Sequence, residues 1–179
     1  MLYDREVNVR RAASSTFQEL VGRCPNVIPH GIEILTESDY FALALRHNAY
    51  LKVAPFVAGF REYFPQMVDH LAFTKVQSQD KDVRLLSSKA LSRLVAIDTK
   101  YFVNIFIGLL DMVQQPSVNG RHGALYALGD LIVAAMGKTD SKWEDKELKD
   151  SVFLRTLTKN ERQLAKPGEH ISKWQDQFN

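Results

Sequence analysis

Residues 9–20, VRRAASSTFQEL, and residues 83–94, VRLLSSKALSRL, follow one pattern. Both begin with Val-Arg, carry a small residue at the fifth position and an apolar residue at the ninth, and end in leucine. Small and apolar residues spaced in this way lie on one face of a helix. The pattern therefore predicts two equivalent amphipathic helices within a repeating chain.

Two further copies of the pattern give the period of the repeat. Residues 45–56 and 120–131 keep the arginine and the spacing of small and apolar residues. The equivalent arginines, 36, 38 and 37 residues apart, are Arg10, Arg46, Arg84 and Arg121. Solenoids built from helix pairs have periods of roughly 34–47 residues. The sequence therefore predicts an all-α solenoid of about four HEAT/armadillo-like repeats, with a period near 37 residues.

Each of these helices needs a partner helix before it. Residues 65–76 supply one for a helix at 83–97, and Pro65 suits a first helical turn because its missing amide donor is not needed there. Residues 98–113 supply the next partner, with Asp98 as the expected N-cap. The third and fourth repeats are therefore predicted to be complete helix pairs.

The second repeat departs from the pattern. Residues 24–40 contain two prolines and a glycine where the first helix of this repeat belongs. We expect a short helix or a loop at about 29–35, and then a helix capped by Ser38 or Asp39. Because proline removes a backbone donor and clashes with the preceding turn, we expect Pro55 to kink or end that helix.

The composition divides the chain near residue 138. Residues 138–179 carry 17 charged residues in 42, against 27 in the preceding 137. We expect a HEAT-like segment at 1–137 and a charged tail at 138–179, with a helix at about 143–165 and a loosely ordered end. The repeat segment opens on a second helix, which leaves its core face uncovered. This predicts that the chain is a piece of a longer protein, truncated at its N-terminal end.

Charge and cysteine content restrict the class of function. The net charge of +2 argues against nucleic acid as a partner, and against a helical-repeat DNA glycosylase, which needs a basic concave face. A single cysteine, Cys24, excludes a disulfide within the chain and a cysteine zinc cluster, and a structural thiol is favoured. The longest apolar-rich stretch, 101–113, is shorter than the ~20 residues of a membrane span.

We therefore expect a soluble, intracellular protein without a membrane span. Its opening residues lack the apolar core of a signal peptide. The chain contains no G-x-S-x-G, H-E-x-x-H or phosphate-binding glycine motif. We expect no catalytic residue, no cofactor and no metal site.

The remaining candidates are residues for contact with a partner. Arg10 has an equivalent arginine in each repeat, and this recurrence favours an architectural role. In that role the arginine either braces a turn or pairs with a carboxylate of the next repeat. Arg11 is not part of the repeated signature, and solvation or partner contact stays open for it. The aromatic residues near Gly59 either pack in the core or anchor a partner. The candidate partner-binding residues are Phe56, Phe60, Tyr63, Phe64, Arg11, His47 and His122.

Four longer stretches carry a resemblance. They are YDREVNVRRAASSTFQELVGR at 3–23, PHGIEILTESDYFAL at 29–43, FVAGFREY at 56–63 and RHGALYAL at 121–128. Together they resemble the family of tubulin-specific chaperone D, also called tubulin-folding cofactor D. The resemblance covers residues 3–136 in order and with similar spacing, and it implies a middle portion of a large HEAT-repeat solenoid.

The resemblance implies a function for the chain. Members of that family capture β-tubulin released from the cytosolic chaperonin and work with tubulin-folding cofactors E and C to join it to α-tubulin. They also bind an Arf-like small GTPase and take part in stimulating GTP hydrolysis by tubulin. The implied protein is a non-enzymatic chaperone and GTPase activator, cytoplasmic and associated with the microtubule cytoskeleton. A generic HEAT-repeat scaffold with another client, such as a transport receptor or phosphatase subunit, remains the alternative.

Overall fold

A computed structural model describes residues 2–95 and 97–137. All regular structure in these residues is helical. The helices are α1 Val7–Arg23, α2 Gly31–Glu37, α3 Arg46–Asn48, α4 Ala54–Ala58, α5 Phe64–His70, α6 Lys81–Leu94, α7 Phe102–Gln114 and α8 Val118–Gly137, with π-helical turns at Ala49–Val53 and Leu71–Lys75. The predicted tail at 138–179, with its helix at about 143–165, lies outside the described residues.

The helices stack in two layers, as an α-solenoid requires. In the layer of second helices, α6 packs against α8 on one side and against α4 and Ala49–Val53 on the other. In the layer of first helices, α7 packs against Leu71–Lys75, and it also pairs with α8 of its own repeat. The predicted all-α solenoid of HEAT/armadillo-like repeats is confirmed.

Small residues set the distance between neighbouring repeats. Gly123 of α8 lies so close to the preceding repeat that a Cβ atom added there would lie 1.8 Å from the carbonyl oxygen of Val76. Ser87 and Ala90 of α6 are fully buried. Small residues at these positions leave room for neighbouring repeats to pack closely.

Two predicted helix caps are wrong. Ser38 follows the last turn of α2, where its hydroxyl donates to the Ile34 carbonyl oxygen at 2.6 Å. Asp39 accepts the amide of Ala42 at 2.5 Å and so closes a turn, and the next helix begins only at Arg46. These side chains satisfy local backbone groups in the link between the helices and do not start a helix.

The prediction that Asp98 is the N-cap of α7 is also wrong. Its carboxylate accepts the amides of Lys100 and Tyr101, at 3.0 and 3.2 Å, and thereby caps the turn that precedes the helix. The helix itself begins at Phe102. Asp80 has the role predicted for Asp98, because it is the N-cap of α6 and accepts backbone amides of that helix.

The helix of the second repeat does not end at Pro55. It continues as α4, and its irregularity is the π-helical turn Ala49–Val53 immediately before the proline. Proline offers no amide hydrogen to the carbonyl of Leu51, four residues earlier. The guanidinium of Arg93, from the next repeat, donates to that carbonyl instead. A tertiary contact therefore replaces the hydrogen bond that the proline removes.

Candidate partner-binding surfaces

The guanidinium of Arg10 is buried and satisfied by backbone oxygens. Arg10 is 2% exposed. Its Nη1 donates to the carbonyls of Asp4 and Arg5, both at 2.9 Å, just before α1. Its Nε and Nη2 donate to the carbonyls of Leu43 and Ala44, both at 3.0 Å, in the next repeat. One side chain thus links two successive repeats of the solenoid.

Arg84 repeats this arrangement two repeats further along the chain. Its Nη1 donates to the carbonyls of Ser78 and Gln79, at 2.6 and 2.9 Å, just before α6. It reaches the next repeat through Asn119 Oδ1 at 3.1 Å and through His122 Nδ1, which accepts from Nε at 3.0 Å. Arg84 therefore also braces a turn and links two repeats.

The other two members of the arginine series differ. Arg46 pairs with the carboxylate of Asp80 in the next repeat at 3.2 Å, and this carboxylate also caps α6. Arg121 has an exposed side chain at the last described repeat. Arg10, Arg46 and Arg84 thus hold the repeats together, by the two means that the sequence suggested.

The two histidines in equivalent positions have different surroundings. His122 is half-buried, accepts the Nε hydrogen of Arg84 and lies 4.8 Å from the ring of Tyr126. Burial lowers the pKa of His122, and the charge of Arg84 lowers it further. His47 has an exposed side chain. His122 therefore belongs to the arginine network, whereas His47 is placed where a partner can reach it.

Arg11 contacts an aromatic ring that the sequence did not single out. Its guanidinium lies 4.0 Å from the centre of the Tyr40 ring, and its Nε donates to the carbonyl of the same residue at 3.4 Å. The neighbouring Phe41 is 78% exposed. A cation held over an aromatic face next to an exposed phenyl ring forms a small surface patch.

Phe64 lies in the core and is no surface anchor. It is 6% exposed and lies against Tyr101 and Phe102 of the next repeat, with ring centres 5.4 and 6.5 Å apart. Of the two interpretations that the sequence left open for this residue, the structure supports core packing. The candidate partner surface is therefore smaller than predicted.

The other three aromatic residues lie together with a histidine, and we call this group the aromatic cluster: Phe56, Phe60, Tyr63 and His30. The rings of Phe56 and Phe60 meet edge to face at 5.4 Å, and Phe60 stacks on His30 at 4.0 Å. The hydroxyl of Tyr63 donates to the Pro29 carbonyl at 2.7 Å. Phe56 is 39% exposed and the cluster is only partly covered.

His30 is the member of this cluster that the sequence did not reveal. It has a positive φ of 55°, which is uncommon for a residue other than glycine. That conformation starts α2 and brings the imidazole onto the Phe60 ring. Its only sequence signal is the His-Gly pair before a short helical stretch, which indicates a turn but no partner.

Comparisons with known proteins bear on the identity of the chain. A family model for the ARM repeats of tubulin-specific chaperone D-like proteins matches residues 1–32. The tubulin-specific chaperone D of Dictyostelium discoideum is 32% identical over 164 residues, which cover 90% of the chain and 11% of that protein. The tubulin-folding cofactor D of Schizosaccharomyces pombe is 34% identical over 94 residues, 52% of the chain and 8% of that protein.

The chain is related to tubulin-specific chaperone D. The resemblance predicted from the sequence is thereby confirmed over most of the chain. The chain spans about a tenth of the length of these chaperone D proteins. No solved structure is significantly similar to it.

The described residues contain neither a cluster suited to a metal ion nor a helix suited to cross a membrane. Within residues 2–95 and 97–137, no cluster of three or more histidine, cysteine or acidic side chains is suited to hold a metal ion. In the same residues, no helix combines the length and apolar character needed to cross a membrane. Cys24 is a free, half-buried thiol.

Proposed function

We propose that the chain is a chaperone segment that binds β-tubulin and supports assembly of the αβ-tubulin heterodimer. The observation that carries this proposal is the 32% identity to the Dictyostelium tubulin-specific chaperone D over 90% of the chain. A helical solenoid suits this role physically, because it offers a broad surface to a partly folded client without enclosing it. Covering apolar surface on such a client prevents aggregation and requires no catalysis.

The aromatic cluster is the proposed point of contact with tubulin. Aromatic side chains that are partly exposed and held rigidly contribute most of the binding energy in many interfaces. Phe60 is held between Phe56 and His30, so little side-chain entropy is lost when a partner covers it. Arg11 with Tyr40, and the exposed His47, are additional proposed contacts.

Binding of purified tubulin to the 179-residue chain tests the proposal. We expect capture of β-tubulin, and a loss of about tenfold or more in affinity in the Phe56→Ala, Phe60→Ala double variant. Phe73→Ala is the matched control, because Phe73 is also 39% exposed but lies outside the cluster. Thermal melts of each variant separate loss of contact from loss of fold.

The further roles implied by the family are part of the same proposal. They are cooperation with tubulin-folding cofactors E and C, binding of an Arf-like small GTPase, stimulation of GTP hydrolysis by tubulin, and residence in the cytoplasm with the microtubule cytoskeleton. Each requires an assay with the purified partner. If the chain binds none of these proteins and captures another client, the alternative of a generic HEAT-repeat scaffold is correct.

A further inference from the structure

The two helical layers carry opposite net charges. The second helices, which are α1, residues 46–58, α6 and α8, contain ten lysine or arginine residues and three acidic residues. The first helices, which are α2, residues 64–75 and α7, contain one lysine and four acidic residues. The small net charge of the whole chain therefore conceals a basic layer that lies next to an acidic one.

The fold accounts for some of the cations in the second helices. Arg10 and Arg84 are buried, and they donate to the polar groups described above. Arg23 and Arg46 each pair with a carboxylate. Other cations have no such partner, and three of them lie close together in the second and third repeats. We call this group the basic cluster: Lys52, Lys89 and Arg93.

Contacts between two repeats bring the basic cluster together. The guanidinium of Arg93 donates to the carbonyl of Leu51, the residue before Lys52 in the preceding repeat. Lys89 lies four residues before Arg93 on α6, a spacing that puts two side chains on one helix face with Cβ atoms about 5–6 Å apart. All three side chains of the cluster are exposed, and none forms an ion pair within the described residues.

The repeat itself does not require these charges. Lys89 and Arg93 stand five and nine positions after Arg84, and no other repeat has a basic residue at either position. Like charges four residues apart on a helix destabilise it. The hydrogen bond to Leu51 gives Arg93 a structural role, but nothing in the described residues gives one to Lys52 or Lys89. The equivalent residues of the other repeats are Ser15 and Glu19, Leu51 and Pro55, and Tyr126 and Asp130.

We propose that the basic cluster binds an acidic peptide segment of a protein partner, through a short run of glutamate or aspartate side chains. Arg93 uses its Nη1 on the Leu51 carbonyl, and its guanidinium keeps further donors for a carboxylate. The two lysines add positive charge on either side of the contact between the repeats. This inference does not depend on the proposed function, because it specifies the chemistry of the partner and not its identity.

The size of the basic cluster favours a peptide over other anionic partners. Proteins that bind DNA commonly neutralise about six to ten phosphates, and anionic membranes attract clusters of about four to eight basic residues. Three cations, beside an acidic layer of first helices, are too few for either surface. They match the charge of a short acidic segment, whose carboxylates would also relieve the repulsion between Lys89 and Arg93.

Charge reversal within the basic cluster tests the proposal. The probe is a fluorescein-labelled oligoglutamate peptide, whose binding to the 179-residue chain is followed by fluorescence anisotropy. Lys52→Glu, Lys89→Glu should weaken binding by about tenfold or more. The control is Arg61→Glu, Lys100→Glu, which changes the net charge equally at two exposed cations in the links before α5 and α7. It should leave the affinity within about twofold of the original.

Thermal melts separate loss of binding from loss of fold. Lys89→Glu places an opposite charge four residues from Arg93, so the charge-reversed variant should melt at the original temperature or above it. The neutral variant Lys52→Gln, Lys89→Gln provides a second measurement, with an expected loss of about threefold in affinity. Equal losses in the cluster and control variants would show that only net charge matters and would overturn the proposal, as would failure of the original chain to bind the peptide.

Salt and competing anions complete the test. Raising NaCl from about 50 mM to about 200 mM should weaken peptide binding severalfold, because exposed charges are screened. Poly(U) RNA and phosphatidylserine vesicles are measured with the same variants. If either binds the original chain more tightly than oligoglutamate and loses that binding in Lys52→Glu, Lys89→Glu, the basic cluster serves that class of partner and the peptide proposal is wrong.

Discussion

Arg10 and Arg84 lie 74 residues apart, yet the Nη1 of each donates to the carbonyls five and six residues before it. Each guanidinium also reaches polar groups near the start of the second helix of the next repeat. Each arginine therefore stabilises the turn before its own helix and links that turn to the next repeat. Its recurrence in the sequence reflects a repeated hydrogen-bonding task in the structure.

Removal of Arg10 should destabilise the fold strongly. Arg10→Met leaves four carbonyls without their donor, in a place that water reaches poorly, and we expect a loss of about 3 kcal/mol in the free energy of unfolding. Arg121→Met, at the exposed member of the series, should change it by about 0.5 kcal/mol or less. Urea unfolding followed by circular dichroism measures both. Similar losses in the two variants would contradict the architectural role of Arg10.

Two glycines of α8 should respond oppositely to alanine. Gly123→Ala drives a methyl group into the Val76 carbonyl, and we expect a loss of about 3 kcal/mol in stability. A Cβ at Gly129 meets no atom within 4 Å, so Gly129→Ala should be neutral or stabilise the helix by up to about 1 kcal/mol. Thermal melts of the two variants give the comparison. A tolerated alanine at position 123 would mean that the repeats do not stack this closely.

Arg93 and Pro55 should be energetically coupled. Arg93→Ala removes the donor to the Leu51 carbonyl and should cost about 1 kcal/mol. In a Pro55→Ala background the cost should be smaller, because alanine supplies an amide hydrogen that the carbonyl can accept. A double-mutant cycle measured by urea unfolding gives the coupling free energy. Strictly additive losses would show that the two residues act independently.

Stability should fall as the pH drops from about 7 to about 5. His122 accepts a hydrogen bond at Nδ1 and must be neutral to do so, and burial lowers its pKa in the folded chain. Below about 6.5, the usual histidine pKa, the unfolded chain takes up the proton first, so the free energy of unfolding decreases. Above that pH both states are neutral and the contribution is complete.

Substitution of the histidines identifies the source of this pH dependence. His122→Gln keeps an acceptor for Arg84 but does not titrate, so stability measured between pH 5 and 7 should vary less. Burial also lowers the pKa of His70, so His122→Gln, His70→Gln should vary less still. An unchanged slope in the double variant would assign the pH dependence to other groups.

The sequence predicted the features that recur and missed those that occur once. The period was visible because each second helix repeats its arginine and its small residues. The caps at Ser38 or Asp39 and at Asp98 were wrong, because local rules describe a residue and its neighbours only. Of the two outcomes expected at Pro55, a kink or an end, the helix does not end there, and its irregularity is a π-helical turn immediately before the proline. The Leu51 carbonyl accepts its hydrogen bond from Arg93, which is 42 residues away, and no local sequence pattern predicts this contact.

The candidate surfaces were predicted only in part for the same reason. Phe56, Phe60 and Tyr63 were identifiable as an aromatic group, but the burial of Phe64 depends on its contact with the next repeat. The stacking of Phe60 on His30 and of Arg11 on Tyr40 joins residues about 30 positions apart.

The fixed reach of Arg10 and Arg84 limits where the chain can change in length. A residue inserted or deleted between Gln79 and Arg84 would shift the Arg84 guanidinium away from the carbonyls that accept its hydrogen bonds. The contact between this repeat and the next would then be lost. Additions among the exposed residues 25–27, in the link after α1, leave the residue count before each arginine intact. Engineered tags and spacers should therefore be accepted there and rejected just ahead of Arg10 and Arg84.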